Sequence, residues 1–291
     1  MSVTFLDLGS RPPYAELVAA WKALRARGDV SVREVACVGA SRTLLAVEIA
    51  APRGAATVAL SAGVHGDEPA APWALLSLVR DGLLDRAFGY RIWPCTNPTG
   101  YERGTRANAE GSDINRSFNR GGTTPESRAI VTANRDRTFA LALDLHEDFE
   151  AQGFYAYEPI TARGPIFARA IVRAMDENAF AVEDFTEGFD LGYPPEATHL
   201  RSLERGIVFP DPALERAYFE GTPYGLYMLR RAAERVATFE TPRRLAWDER
   251  IAMHRTAVVT ALDRLRSDVP EIGADSHKKS PAMRRTRSGH A

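Results

Sequence analysis

The chain has 291 residues, 45% of them hydrophobic, and its 37 Lys plus Arg and 38 Asp plus Glu leave a formal net charge of −1. That length can bury one sizeable core, and so even a charge balance supplies no basic field for nucleic acid or an anionic membrane. No stretch reaches membrane-spanning length and Met1 to Pro13 lacks the apolar centre of a secretory signal, so a cytoplasmic location is expected.

Leu17, Trp21 and Leu24 recur at helical spacing over residues 14 to 27, and strands are expected near 31 to 38 and 43 to 50. Cys37 and Cys95 sit in strand-like runs without a Cys-x-x-Cys spacing, which predicts buried thiols and neither a disulfide framework nor a zinc knuckle. The run Thr57 to Gly63 is apolar, partly β-branched and short enough for a buried strand. His65-Gly66-Asp67-Glu68 follows it. Pro69 then suits a first helical turn, Leu75, Leu76 and Val79 recur at helical spacing, and Gly82 offers a stop. An imidazole and a carboxylate three residues apart therefore stand where a strand gives way to a helix, the place where open α/β sheets form ligand crevices. Such a pair can hold a divalent metal.

A strand is expected at 89 to 95, a polar loop from Thr96 to Pro125, a helix to about Phe139, and a strand over Leu141 to Leu145. Phe154 to Tyr157 reads as a strand and 164 to 176 as a helix, while Gly188 to Pro223 is punctuated by Pro and Gly and has no clear period. A helix near 224 to 234, a strand over Arg235 to Glu240 and a helix from Trp247 to Arg266 complete the chain. Alternating strands and helices predict a largely parallel or mixed sheet with helices on both faces. Residues 1 to 266 are expected to form one domain, and the Ser-, Pro-, Lys- and Arg-rich residues 267 to 291 a disordered basic tail.

His146, just beyond the strand Leu141 to Leu145, is placed to add a third ligand to His65 and Glu68. Two histidines, one carboxylate and an open position make a catalytic zinc set, whereas a structural site would close with a fourth protein ligand. Glu147 and Asp148 follow His146, and strand alternation gives them supporting or solvent-facing roles. Their negative charge near a metal is expected to disfavour acidic substrate side chains. His199 and His254 read as surface or helix-face histidines.

Between the two ligand histidines come Asn97-Pro98-Thr99-Gly100, Arg106-Ala107-Asn108 and Asp113-Ile114-Asn115-Arg116-Ser117-Phe118, and beyond them Asp144-Leu145-His146 and Phe239-Glu240-Thr241-Pro242. This order, from about residue 57 to 242, resembles the zinc metallocarboxypeptidase family, including its bacterial cytoplasmic and murein-peptide amidase branches. The resemblance implies a three-layer α/β/α sandwich around a mixed, mostly parallel sheet of about eight strands. It also implies one Zn2+ per chain on His65, Glu68 and His146, with Asp113 accepting from the far ring nitrogen of His65. Glu240 would be the general base, and Asn115 and Arg116 would grip a terminal carboxylate, a task suited to a guanidinium fork. Arg106 matches the arginine that polarises the scissile carbonyl, and Arg103 competes for that place among the substrate-binding groups. Tyr218 stands at the familiar distance from Glu240 for a tyrosine that closes over substrate, with Tyr224 and Tyr227 as further candidates.

The activity so implied is hydrolysis of a peptide or amide bond next to a free carboxylate. Its alternative is an N-acyl amino acid deacylase resembling the succinylglutamate desuccinylase and aspartoacylase branch, and the non-enzymatic reading is a zinc- or peptide-binding protein. The expected partner in either enzyme is a peptide or acylated amino acid with a free carboxylate; the sequence assigns no oligomeric state.

Overall fold

The run Thr57–Ala62 does form a strand, β3, and every residue from Val58 onward in it is buried. A computed structural model describes residues 11–39, 41–119, 121–159, 161, 167–185, 189, 191, 201–211 and 221–268. β3 lies at the centre of a nine-stranded sheet in the order β1-β2-β4-β3-β5-β9-β6-β8-β7. Its neighbours are β4 (Gly89–Trp93) and β5 (Leu141–Asp148), both parallel to it, and β9 (Val236–Pro242) runs parallel beyond β5. Parallel strands need crossover connections, and β3, β4 and most of β5 and β9 are buried, as expected of strands covered on both faces.

The flanks are mixed. β1 (Val30–Val38) and β2 (Arg42–Ile49) pair antiparallel with each other and with β4. On the far side β6 (Tyr155–Tyr157) runs antiparallel to β9, while β7 (Arg201–Glu204) and β8 (Ile207–Pro210) form a hairpin. The sheet is thus the mixed one expected, with nine strands and parallel pairing concentrated at its centre.

Strand alternation sorts the core into two layers. Val58, Leu60, Leu143 and Leu145 face a cluster covered by α1 (Tyr14–Ala23), α2 (Ala70–Arg80), α5 (Ala168–Glu177) and α7 (Trp247–Asp268). Ala59 and Ala142 face the opposite cluster, under α4 (Pro125–Ala133) and α6 (Tyr224–Arg231). Ten consecutive residues of α2, Ala70 to Val79, are buried, the mark of a helix enclosed on all sides. Among the described residues no helix is long and apolar enough to cross a membrane.

Several expectations need correction. Cys95 is buried, but Cys37 is exposed, because a bulge between Glu34 and Ala36 breaks the in–out alternation of the edge strand β1. The polar loop contains a short helix, α3 (Pro98–Arg103), and α4 stops at Ala133, six residues before Phe139. The unassigned stretch 188 to 223 contains the β7–β8 hairpin, turned at Arg205-Gly206. The tail expected from 267 lies, beyond Asp268, outside the described residues.

Candidate metal centre

The loop after β3 is held in place by its own glycines. Gly63 takes φ +63°, a conformation that suits glycine, and Gly66 sits so close to α3 that a Cβ there would run into the main chain of Gly100 and Tyr101. Gly66→Ala is therefore expected to cost about 3 kcal/mol, the upper end for an overpacked site, and to loosen the metal loop. Urea unfolding that found the variant as stable as wild type would show that the contact is unimportant.

On this loop the His65 Nδ1 atom lies 2.6 Å from Oε1 of Glu68, whose Oε2 lies 3.0 Å from Nδ1 of His146 at the end of β5. All three side chains are buried, and one donor atom from each lies within 4.8 Å of the others. The far ring nitrogens point away from this centre toward carboxylates: Nε2 of His65 is 3.3 Å from Asp113 Oδ1, and Nε2 of His146 is 3.0 Å from Asp144 Oδ2. Each Nδ1 is thus left to face inward, where an open site formed by His, Glu and His suits a single divalent ion such as zinc. Among the described residues no other cluster of three such donors is this close.

The electrostatics fit a site for positive charge. Burial alone would raise the carboxyl of Glu68, but the two imidazoles beside it hold it well below the usual range. Burial would likewise lower His146, yet Glu68, Asp144 and Glu240 push it well above the usual imidazole value. Asp113 is held low despite partial burial by His65, Arg106 and Arg116.

Asn97 begins α3 by accepting from the Gly100 amide at 2.8 Å, and its own amide donates to the Arg106 carbonyl at 3.0 Å. Arg106 is thereby brought over the centre, its guanidinium 3.1 Å from Asp113 Oδ2 and 3.3 Å from His65 Nδ1. Asp113 also caps the turn Ile114–Arg116 through the Asn115 amide. Oδ1 of Asn115 accepts from the Tyr224 amide at the start of α6, and among the described residues its amide nitrogen has no acceptor. Arg116, whose guanidinium touches the Asn115 carbonyl, lines the same cavity.

That cavity has a volume of about 860 Å³ and is lined by the three ligand candidates together with Arg106, Asn115, Arg116 and Glu240. Glu240 stands directly beside His146 in the β5–β9 register. Its carboxyl is raised well above the usual value by burial and by the negative charges of Glu68, Asp148 and Asp144, partly offset by His146.

Not every candidate converges. Arg103 closes α3 on the exposed side, where among the described residues its guanidinium approaches only the Ala109 carbonyl, and it is not among the residues that line the cavity. α3 ends at Gly104 with φ +68°, so the chain turns before Arg106 and separates the two arginines. Tyr218 and His199 fall outside the described residues. Tyr224 and Tyr227 are buried against Phe118 as core aromatics. His254 is not at the surface: it is fully buried, 3.2 Å from Thr241 Oγ1, and burial lowers it to about 3. Glu147 lines the cavity, but its carboxylate is paired with Arg250 and accepts from the Ala70 amide at the start of α2. Asp148 accepts from the Tyr155 hydroxyl at 2.5 Å. Asp144 had no role assigned from sequence, although the period of two along β5 puts it on the same face as His146.

The sequence profile of the succinylglutamate desuccinylase/aspartoacylase catalytic domain matches residues 55–163, a span that holds His65, Glu68, Arg106, Asp113, Asn115, Arg116 and His146 but not Glu240. The solved structure of a proposed metallopeptidase from Shewanella amazonensis has a TM-score of 0.66 at 24% identity, over 87% of this chain and 92% of that one. The chain is thus similar over part of its sequence to the succinylglutamate desuccinylase/aspartoacylase catalytic domain, and in fold to this metallopeptidase. Two further structures show the same fold. A metallo-carboxypeptidase from Burkholderia cenocepacia gives TM-score 0.61 at 17% identity over 88% of this chain and 70% of its own. Carboxypeptidase A from Helicoverpa armigera gives 0.64 at 15% over 90% and 75%. No curated protein matches the sequence.

Proposed function

We propose that this protein is a zinc hydrolase that cleaves a peptide or amide bond next to a free carboxylate. The observation that supports this reading most is the convergence, in one cavity, of a buried His65-Glu68-His146 donor set with Glu240 and Arg116. When bound, the metal supplies a Lewis acid that lowers the pKa of water from about 16 toward 7. The residues around it divide the remaining work. Glu240, raised and adjacent to His146, takes a proton from the attacking water and passes it to the leaving amine. Arg106, the most exposed of these groups, stabilises the negative charge that develops on the scissile carbonyl oxygen. Asn115 and Arg116 receive the substrate carboxylate with an amide and a guanidinium.

Arg116→Ala is expected to raise KM for free-carboxylate substrates by about 10- to 100-fold, the loss of ~1.5–3 kcal/mol in charge-assisted hydrogen bonds, with kcat little changed. Amidated substrates should not feel the substitution. A variant with an unaltered KM would remove Arg116 from recognition.

A second reading is an N-acyl amino acid deacylase, supported by the identity of the matching profile over residues 55–163. Both readings are tested by offering the zinc-loaded protein a mixed pool of free and C-terminally amidated peptides together with N-acyl amino acids, and identifying products by mass spectrometry. Loss of residues from free-carboxylate peptides alone supports the peptidase reading, and hydrolysis of N-acyl amino acids alone supports the deacylase. Equal cleavage of amidated peptides would sink both.

A further inference from the structure

Glu68 stands only two residues before Ala70, the first residue of α2, and Pro69 at the capping position between them has no side chain able to cap the helix. The missing cap comes from another strand. Glu147, next to His146 but on the opposite face of β5, accepts from the Ala70 amide through Oε1 at 2.5 Å. Its Oε2 is held by Nη1 of Arg250, from the first turn of α7. The Glu147 side chain is fully buried and that of Arg250 is 10% exposed, so neither is a surface pair of small consequence.

We propose that Glu147, secured by Arg250, is a positioning residue for the metal centre. It joins the helix start that carries Glu68 to the strand end that carries His146. Both links are short: Pro69 alone separates Glu68 from Ala70, and His146 and Glu147 are adjacent. The carboxylate of Glu147 therefore fixes the separation of two ligand segments that come from distant parts of the sequence. This inference rests on the zinc reading above.

The test is zinc affinity, measured by competition with a chromophoric chelator, together with the visible spectrum of the Co2+-loaded protein. Glu147→Gln keeps the shape of the side chain and removes its charge. It is expected to raise the zinc dissociation constant by about 10- to 100-fold, as loss of other outer partners of metal ligands does, and to shift the Co2+ bands. The control is Glu158→Gln. Glu158 is likewise a buried carboxylate at a helix start, accepting from Phe167 and Ala168 at α5, but that helix carries no ligand. It should leave zinc affinity within about twofold of wild type. If Glu147→Gln also stays within twofold with an unchanged spectrum, or if Glu158→Gln weakens zinc equally, the positioning role is overturned. Wild type that binds no zinc at all would instead overturn the metal reading itself, so the two failures are distinct.

Discussion

Glu240→Gln is expected to lower kcat by about 10²- to 10⁴-fold, the range for loss of a general acid–base group, while zinc content and KM stay near wild type. The substitution keeps volume and one acceptor oxygen but cannot take a proton. Burial and three neighbouring carboxylates raise the Glu240 carboxyl in the metal-free protein, with His146 acting against them; a bound divalent ion would act with His146 to lower it, and in either state the deprotonated form that takes the proton is lost on the acid side. The wild-type profile of kcat/KM should therefore fall toward acid with a limb that the residual activity of the variant lacks. Stability should move the other way. A carboxyl whose folded pKa exceeds its unfolded one penalises folding increasingly as pH rises from the unfolded value through the folded one, and not below both. Metal-free Glu240→Gln is thus expected to unfold at a higher temperature than wild type at pH 7 and at nearly the same temperature at pH 4. A variant that keeps most of its activity would remove Glu240 from the chemistry, whatever its stability.

Much of this centre is readable without coordinates because its parts obey local rules. The period of two in Leu141–Asp148 and the apolar run Thr57–Ala62 place His146 and His65 at the carboxyl ends of neighbouring parallel strands. Asn97-Pro98 announces a capped helix start, though α3 is so short that its polar surroundings conceal it. The Arg205-Gly206 turn, with Gly206 at φ +68°, is equally local, and the hairpin it makes was hidden by weakly patterned flanks in which three of the four residues of β7 are exposed. Other features depend on contacts between distant residues. Nothing near Glu147 points to Arg250, 103 positions away. The choice between Arg103 and Arg106 is made by the left-handed turn at Gly104, and the exposure of Cys37 by a bulge whose partner strand fixes the slip. Asp144 was the most accessible omission, since the residue two before a ligand histidine on a strand shares its face.

Removing the metal is expected to abolish activity and to lower the melting temperature by an amount that grows with pH. An ion present at about a thousand times its dissociation constant adds about 4 kcal/mol of stability, which for a domain of this size corresponds to roughly 8–16 °C. The pH dependence follows from what replaces the ion. In the metal-free protein the raised imidazole of His146 binds a proton beside Glu68 and Asp144, and that proton partly substitutes for the missing positive charge. A histidine with a folded pKa above its unfolded value contributes stability that is complete below the unfolded value and is lost as pH rises through the folded one. The apo protein should therefore weaken from pH 6 toward pH 8.5. Over the same interval zinc competes with fewer protons for the imidazole, so its affinity increases. Melting curves with and without a chelator should accordingly diverge as pH rises, and adding Zn2+ back should restore both the melting temperature and turnover. A gap of equal size at pH 6 and pH 8.5 would mean that the ion and the His146 proton do not share one site.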